Sequence, residues 1–105
     1  MARLVFAPSA IADTREILSI LVETAGRPVA VAYFERFHST FDRIATFPDS
    51  GAPRPGLGAA VRLAVVHPYV VIYRRSREGV EVMRVLHGRR NITRRLIERR
   101  SLPAG

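Results

Sequence analysis

The segment VRLAVVHPYVVIYRRSREGVEVMRVLH, residues 61–87, decides the fold. Val61 to Val66 and Tyr69 to Tyr73 are runs of β-branched and aromatic residues, and the His67-Pro68 step between them interrupts any continuous strand. Ser76 to Gly79 makes a second turn, after which Val80 to His87 forms a third run. Three consecutive antiparallel strands, a meander, follow from this spacing.

Upstream, Pro48 to Ala60 holds three of the seven prolines and three of the seven glycines, a loop longer than a simple connection needs and so either functional or a passive spacer. Before it, Phe34, Phe37, Phe41, Ile44 and Ala45 recur at intervals of three and four, with Pro28 suited to a first helical turn and Pro48 to a stop. An earlier helix has Ile11, Leu18, Leu21, Val22 and Ala25 along one face, Ser9 as its expected N-cap, Asp13 and Glu16 in its early turns and Gly26 at its end. Arg3 to Ala7 reads as a short strand ended by Pro8. Downstream, Asn91 is the expected cap of a short basic helix. Ile92, Leu96 and Ile97 lie on one side of it, and Arg94, Arg95, Arg99 and Arg100 around the rest. Positive charge at that helix's start opposes its dipole, so residues 91–105 are expected to add little to the core and to order on a partner. Helices first and strands afterwards predict one α+β domain over residues 1–105. An N-terminal strand and a helical hairpin pack on a small, mainly antiparallel four-stranded sheet, and the short basic helix follows.

The 105 residues, 48% hydrophobic and 25% charged, suit one folded domain and exclude wholesale disorder. Seventeen basic residues, all arginine, face nine acidic ones, and ten of those arginines against three acids lie from Arg74 onward, a local net charge of +7. Such a C-terminal third favours an anionic partner. No cysteine is present and three scattered histidines make no zinc spacing, so no metal or other cofactor is expected. Neither a signal peptide nor a membrane span is read in the chain, which leaves a cytoplasmic protein as the expectation and makes the Asn91-Ile92-Thr93 sequon irrelevant.

Several residues admit two readings. Arg84 stands between Val82 and Leu86 on one face if the strand alternates regularly. There it either anchors a phosphate or carboxylate or pairs internally with Asp13, Glu16 or Glu35. His87-Gly88-Arg89-Arg90 either lets an anion approach the backbone or merely ends a strand. His67 is read as a turn residue and His38 as helix-edge packing. Tyr69 and Tyr73 share a face and are read as packing residues. No nucleophile triad, paired-carboxylate motif, P-loop or dinucleotide turn occurs. A nuclease driven by attack of a ribose hydroxyl would have only His87, Arg89, Arg84, Tyr69 and His67 to draw on.

Ala7-Pro8-Ser9-Ala10 with Ala12-Asp13, Phe47-Pro48-Asp49-Ser50-Gly51, Arg54-Pro55-Gly56-Leu57-Gly58, Val71-Ile72-Tyr73-Arg74 and Arg84-Val85-Leu86-His87-Gly88 together resemble the RelE/ParE superfamily of bacterial toxins. The Arg-Val-Leu-His ending resembles its ParE branch. That resemblance implies a non-enzymatic toxin of a type II toxin-antitoxin system, of the kind linked to plasmid stabilization. It would block DNA gyrase and be silenced in a hetero-oligomer with a cognate ParD-like antitoxin. Arg84, His87, Arg89, Arg90, Arg94 and Arg95 are the expected target-binding residues. Leu18, Leu21, Phe34, Phe37, Arg74 and Arg75 are those expected to bind antitoxin. The RelE branch instead cleaves messenger RNA in the ribosome with two arginines and a C-terminal tyrosine. At those places this chain has Val70, Arg89 and no tyrosine beyond Tyr73. A basic binding module without toxicity is the third reading.

Overall fold

The computed structural model describes residues 2–98. In chain order these form β1 (Arg3–Phe6), α1 (Pro8–Ala25), α2 (Arg27–Thr46), β2 (Ala52–Pro53), a 3₁₀ turn (Pro55–Leu57), β3 (Val61–Val66), β4 (Tyr69–Ser76), β5 (Gly79–His87) and α3 (Arg94–Glu98). One sheet runs β1-β5-β4-β3-β2. Its β1–β5 pair is parallel and the rest are antiparallel. The α+β class and the meander agree with the sequence reading, but the sheet has five strands instead of four. The extra one is a two-residue stretch of the Pro/Gly loop, Ala52 and Pro53, set against Leu63 and Arg62. Proline is tolerated there because β2 is an edge.

Gly26 alone joins the two helices. Its φ of 95° lies where glycine is favoured, and its N–H reaches the carbonyls of Leu21 and Val22 at 3.0 and 3.2 Å. At the other end of α1 the N-cap is Ala7 and Pro8 is the first helical residue, which moves Ser9 inside the helix and corrects its expected capping role.

Both faces of the sheet are covered. Phe37, Phe41 and Ile44 of α2 and Ala10 of α1 pack on Ala64, Val66, Val71, Tyr73, Val80, Val82 and Val85. On the opposite face Leu57 and Ile97 close over Val61, Val70, Ile72, Met83 and Leu86, with Ile92 and Leu96 alongside. A two-sided core explains why β4 and β5 are nearly continuous apolar runs. Tyr73 is fully buried, and its hydroxyl donates to the Pro48 carbonyl and accepts the Gly51 N–H, both at 2.8 Å. A Cβ at Gly51 would fall 2.5 Å from that oxygen, so the loop closes there only on glycine.

The C-terminal segment, expected to contribute few apolar residues to the core, contributes Ile97 outright and Ile92 and Leu96 in part. Ile97 is 1% exposed, and α3 lies on the sheet. Its cap is Thr93, whose hydroxyl accepts the Leu96 N–H at 3.2 Å, and not Asn91. The i,i+4 ion pair of Arg94 with Glu98 at 3.3 Å places an acid beside the arginine at the helix start. Arg99 and Arg100, expected on the same helix, lie outside the described residues. Truncating Ile97 to alanine should therefore lower stability by about 2 to 4 kcal/mol, the usual cost of emptying a fully buried aliphatic site. Denaturant unfolding reads this out, and a loss below about 1 kcal/mol would contradict the core role.

Candidate functional site

β1 leaves the sheet early. Its last register partner is Val82, whose carbonyl accepts the Ala7 N–H at 2.9 Å, and the chain then turns into α1 while β5 runs on to His87. Side chains of α1 replace the missing strand. Ser9 donates its hydroxyl to the Met83 carbonyl at 3.1 Å, and Asp13 accepts the Val85 N–H at 3.0 Å. Asp13 also holds Arg84 through two hydrogen bonds, Nε to Oδ2 at 2.7 Å and Nη2 to Oδ1 at 2.8 Å. The third guanidinium nitrogen, Nη1, donates to the Leu96 carbonyl at 3.2 Å. Of the two readings of Arg84, the structure has the internal pair, with Asp13 and not Glu16 or Glu35 as the acid. Both side chains are 11% exposed, so the pair is largely desolvated.

A register irregularity at Ile72/Tyr73 opposes Val82 to Tyr73 and Arg84 to Ile72. Val82 therefore packs under the helices while Leu86 packs on the opposite face, and the regular alternation assumed from sequence fails at Met83. An inserted residue of this kind carries no compositional signal.

The end of the sheet beyond this pair brings together two of the predicted target residues, His87 and Arg89. Gly88 donates its N–H to the Pro68 carbonyl at 2.8 Å, tying the strand end to the β3–β4 turn. That turn is tied in its own right to α2. Tyr33 and Arg36 both donate to the His67 carbonyl at 3.4 Å, and the Arg36 guanidinium sits 4.8 Å above the Tyr33 ring. The Arg89 N–H donates to His87 Nδ1 at 3.1 Å, so neutral His87 carries its proton on Nε2 and presents a donor outward. Tyr69 lies half-buried, edge-on to Tyr33 and His87 at centroid distances of 5.5 and 5.8 Å. Burial, and secondarily the nearby Tyr33, raises its phenol above the ordinary 10.0, which keeps it a protonated packing residue at neutral pH. Between the turn and the strand end lies a cleft of about 510 Å³ lined by Val65, His67, Pro68, Tyr69, Val70, His87, Gly88 and Arg89. Arg89, Arg90, Arg94 and Arg95 are all exposed, but only Arg89 lines the cleft, while Arg94 lies beside Val61 and Arg74 toward the other end of β3 and β4, and among the described residues only Arg94 of these four makes an ion pair.

The residues assigned to antitoxin divide. Phe34 is 47% exposed on the outside of the hairpin, and Leu18 and Leu21 are half-buried. Phe37 is 1% exposed and belongs to the core, a correction that packing on the sheet decides, since residues three apart share a helix face. Arg74 pairs with Glu81 at 3.0 Å and Arg75 with Asp49 at 3.3 Å. Sequence reasoning missed Ile20 and Val31, 49% and 47% exposed on the same hairpin. Their signal was present: Ile17, Leu18, Ile20, Leu21 and Val22 are too many apolar residues for one helical face. His38 packs beside Phe34 and Phe41, as read.

Among the described residues no three His, Cys, Asp or Glu side chains come together to hold a metal, and no helix is long and apolar enough to cross a membrane. Fold and site thus define a small basic α+β domain with an apolar hairpin surface on one side and an arginine-bearing sheet end. Residues 4–92 match the family described as the ParE toxin of the type II toxin-antitoxin system parDE, and the chain belongs to that family. It is 34% identical over 84 residues to Toxin ParE3 of Caulobacter vibrioides, covering 80% of this chain and 84% of that one. Its fold matches a chain of the chromosomal ParDE system from P. aeruginosa with a TM-score of 0.71, at 20% identity over 83% of this chain and 96% of that chain. Membership makes this chain a toxin of a toxin-antitoxin system and not an enzyme.

Replacing Arg84 with alanine would leave the Asp13 carboxylate nearly buried with the Val85 N–H as its remaining donor. Stability should fall by about 3 to 5 kcal/mol, as when one partner of a buried pair is removed. Equilibrium unfolding measures it. An unchanged midpoint would show that the pair does not hold α1 to β5.

Proposed function

We propose that this toxin inhibits DNA gyrase by binding it, and that a cognate ParD-like antitoxin neutralises it in a cytoplasmic hetero-oligomer. The observation that carries the non-nucleolytic part is the state of the sheet end. His87 offers Nε2–H and no outward lone pair, Arg84 is held by Asp13, and the place of a RelE arginine is taken by Val70, buried on the second face. What stays available to a target is charge, on Arg89, Arg90, Arg94 and Arg95, with Arg84 acting from beneath by holding α3. The antitoxin surface is the hairpin, where Leu18, Leu21, Phe34, Ile20 and Val31 offer anchors to an amphipathic acidic segment, whose carboxylates would compete with Glu81 and Asp49 for Arg74 and Arg75.

Inhibition of gyrase supercoiling by purified variants tests the target side. Replacing Arg89, Arg90, Arg94 and Arg95 together by glutamine should weaken inhibition strongly. Tyr69→Phe and His87→Gln should each cost less than about tenfold, whereas loss of a general acid or base costs ~10² to 10⁴. Abolition by either single change, with the arginine variant still active and cellular transcripts cleaved, would restore the ribonuclease reading. On the antitoxin side, the association rate should fall as salt rises through the range where the Debye length shrinks below ~10 Å. A rate independent of ionic strength would remove charge steering from the account.

A further inference from the structure

The cleft at the end of the sheet has a chemistry that gyrase inhibition by protein contact does not require. Its polar side chains are His67, Tyr69, His87 and Arg89, and among the described residues no carboxylate lines it. The Nδ1 atom of His87 is taken by the Arg89 N–H, which aims a donor outward from Nε2. Arg89 itself makes no ion pair among the described residues. Gly88 contributes no side chain, and a Cβ there would stand 3.1 Å from the Pro68 carbonyl and 3.7 Å from Val70, so the floor stays low between the two walls. The walls are braced, one by α2 through the His67 carbonyl and the other by the Gly88 to Pro68 hydrogen bond. A preformed pocket of donors about 510 Å³ in size suits an oxyanion.

We propose that this cleft binds a backbone phosphate of DNA, so that the toxin touches nucleic acid directly. Exposed large apolar residues favour DNA over an acidic protein as the source of the anion. A protein segment docks with apolar anchors beside its carboxylates, and here those anchors, Ile20, Val31 and Phe34, lie on the hairpin while Val65 alone of the exposed large apolar residues lines the cleft. With donors aimed at phosphate and, among the described lining residues, no carboxylate to accept from a base, the contact is independent of sequence.

The experiment uses the purified chain without gyrase, so its outcome is separate from that of the supercoiling assay. Fluorescence anisotropy follows a fluorescein-labelled duplex of about 20 bp over a range of KCl, long enough for one phosphate-tracking contact. Arg89→Gln should weaken binding about fivefold and lower the slope of log K against log salt by about one, Arg89→Lys should recover part of the loss, and Arg77→Gln, the same charge change in the β4–β5 turn at the far end of the sheet, should cost less than about twofold. Labelled polyglutamate of equal charge should bind more weakly and respond alike to the Arg89 and Arg77 changes. Equal losses for Arg89→Gln and Arg77→Gln on DNA would reduce the effect to net charge and overturn the proposal. So would polyglutamate that binds as tightly as DNA with the same dependence on Arg89, which would assign the cleft to a protein carboxylate.

Discussion

The carboxylate of Asp13 accepts three hydrogen bonds, two from Arg84 and one from the Val85 backbone, in a site where each side chain keeps only 11% of its surface. A β-strand that loses its neighbour halfway presents bare backbone donors and acceptors, and burying them without partners costs more than most single contacts return. α1 meets this constraint from its first two turns, Ser9 on the Met83 carbonyl and Asp13 on the Val85 N–H. The angle at which α1 crosses β5 is thereby fixed, and with it the hairpin that α1 forms with α2. Arg84 extends the same link to the opposite face by donating to the Leu96 carbonyl of α3. One ion pair thus joins the helical layer, the sheet and the C-terminal helix.

The proposed function divides along that layering. The hairpin side presents apolar side chains that the small sheet cannot cover. The sheet end presents arginines, positioned by the β3–β4 turn and the end of β5. Because the apolar and the charged surfaces lie on different elements, an antitoxin can anchor on the first and a target needs only the second. Buried cations and exposed cations have different tasks here: Arg84 organises, while Arg89, Arg90 and Arg95 remain available.

Much of this was legible because it rests on local signals. The meander followed from two apolar runs separated by His67-Pro68 and a third after Gly79. The hairpin followed from Gly26 and from phenylalanines at helical spacing, and the charge of the final third was plain from its arginines. What escaped the sequence was decided at long range. Ser9 looked like a cap until the strand edge it serves, 74 residues away, came beside it. Arg84 and Asp13 are 71 residues apart, so the acid could be narrowed to three candidates but not chosen. Phe34 and Phe37 both fit an apolar stripe, and only packing separates the exposed one from the buried one. Ile97 looked like a minor member of a basic tail because the continuous apolar runs of β4 and β5 announce a second buried face without saying which segment covers it.

The central claim is that the two surfaces serve two different partners. Hydrogen-deuterium exchange on the toxin alone, with its antitoxin and with gyrase measures this directly. Antitoxin should protect the hairpin around Ile20 to Val31 and Phe34, and gyrase should protect the β3–β4 turn and residues 87–95 while leaving the outer hairpin unchanged. Protection of the hairpin by gyrase, with exchange at residues 87–95 unaffected, would contradict it.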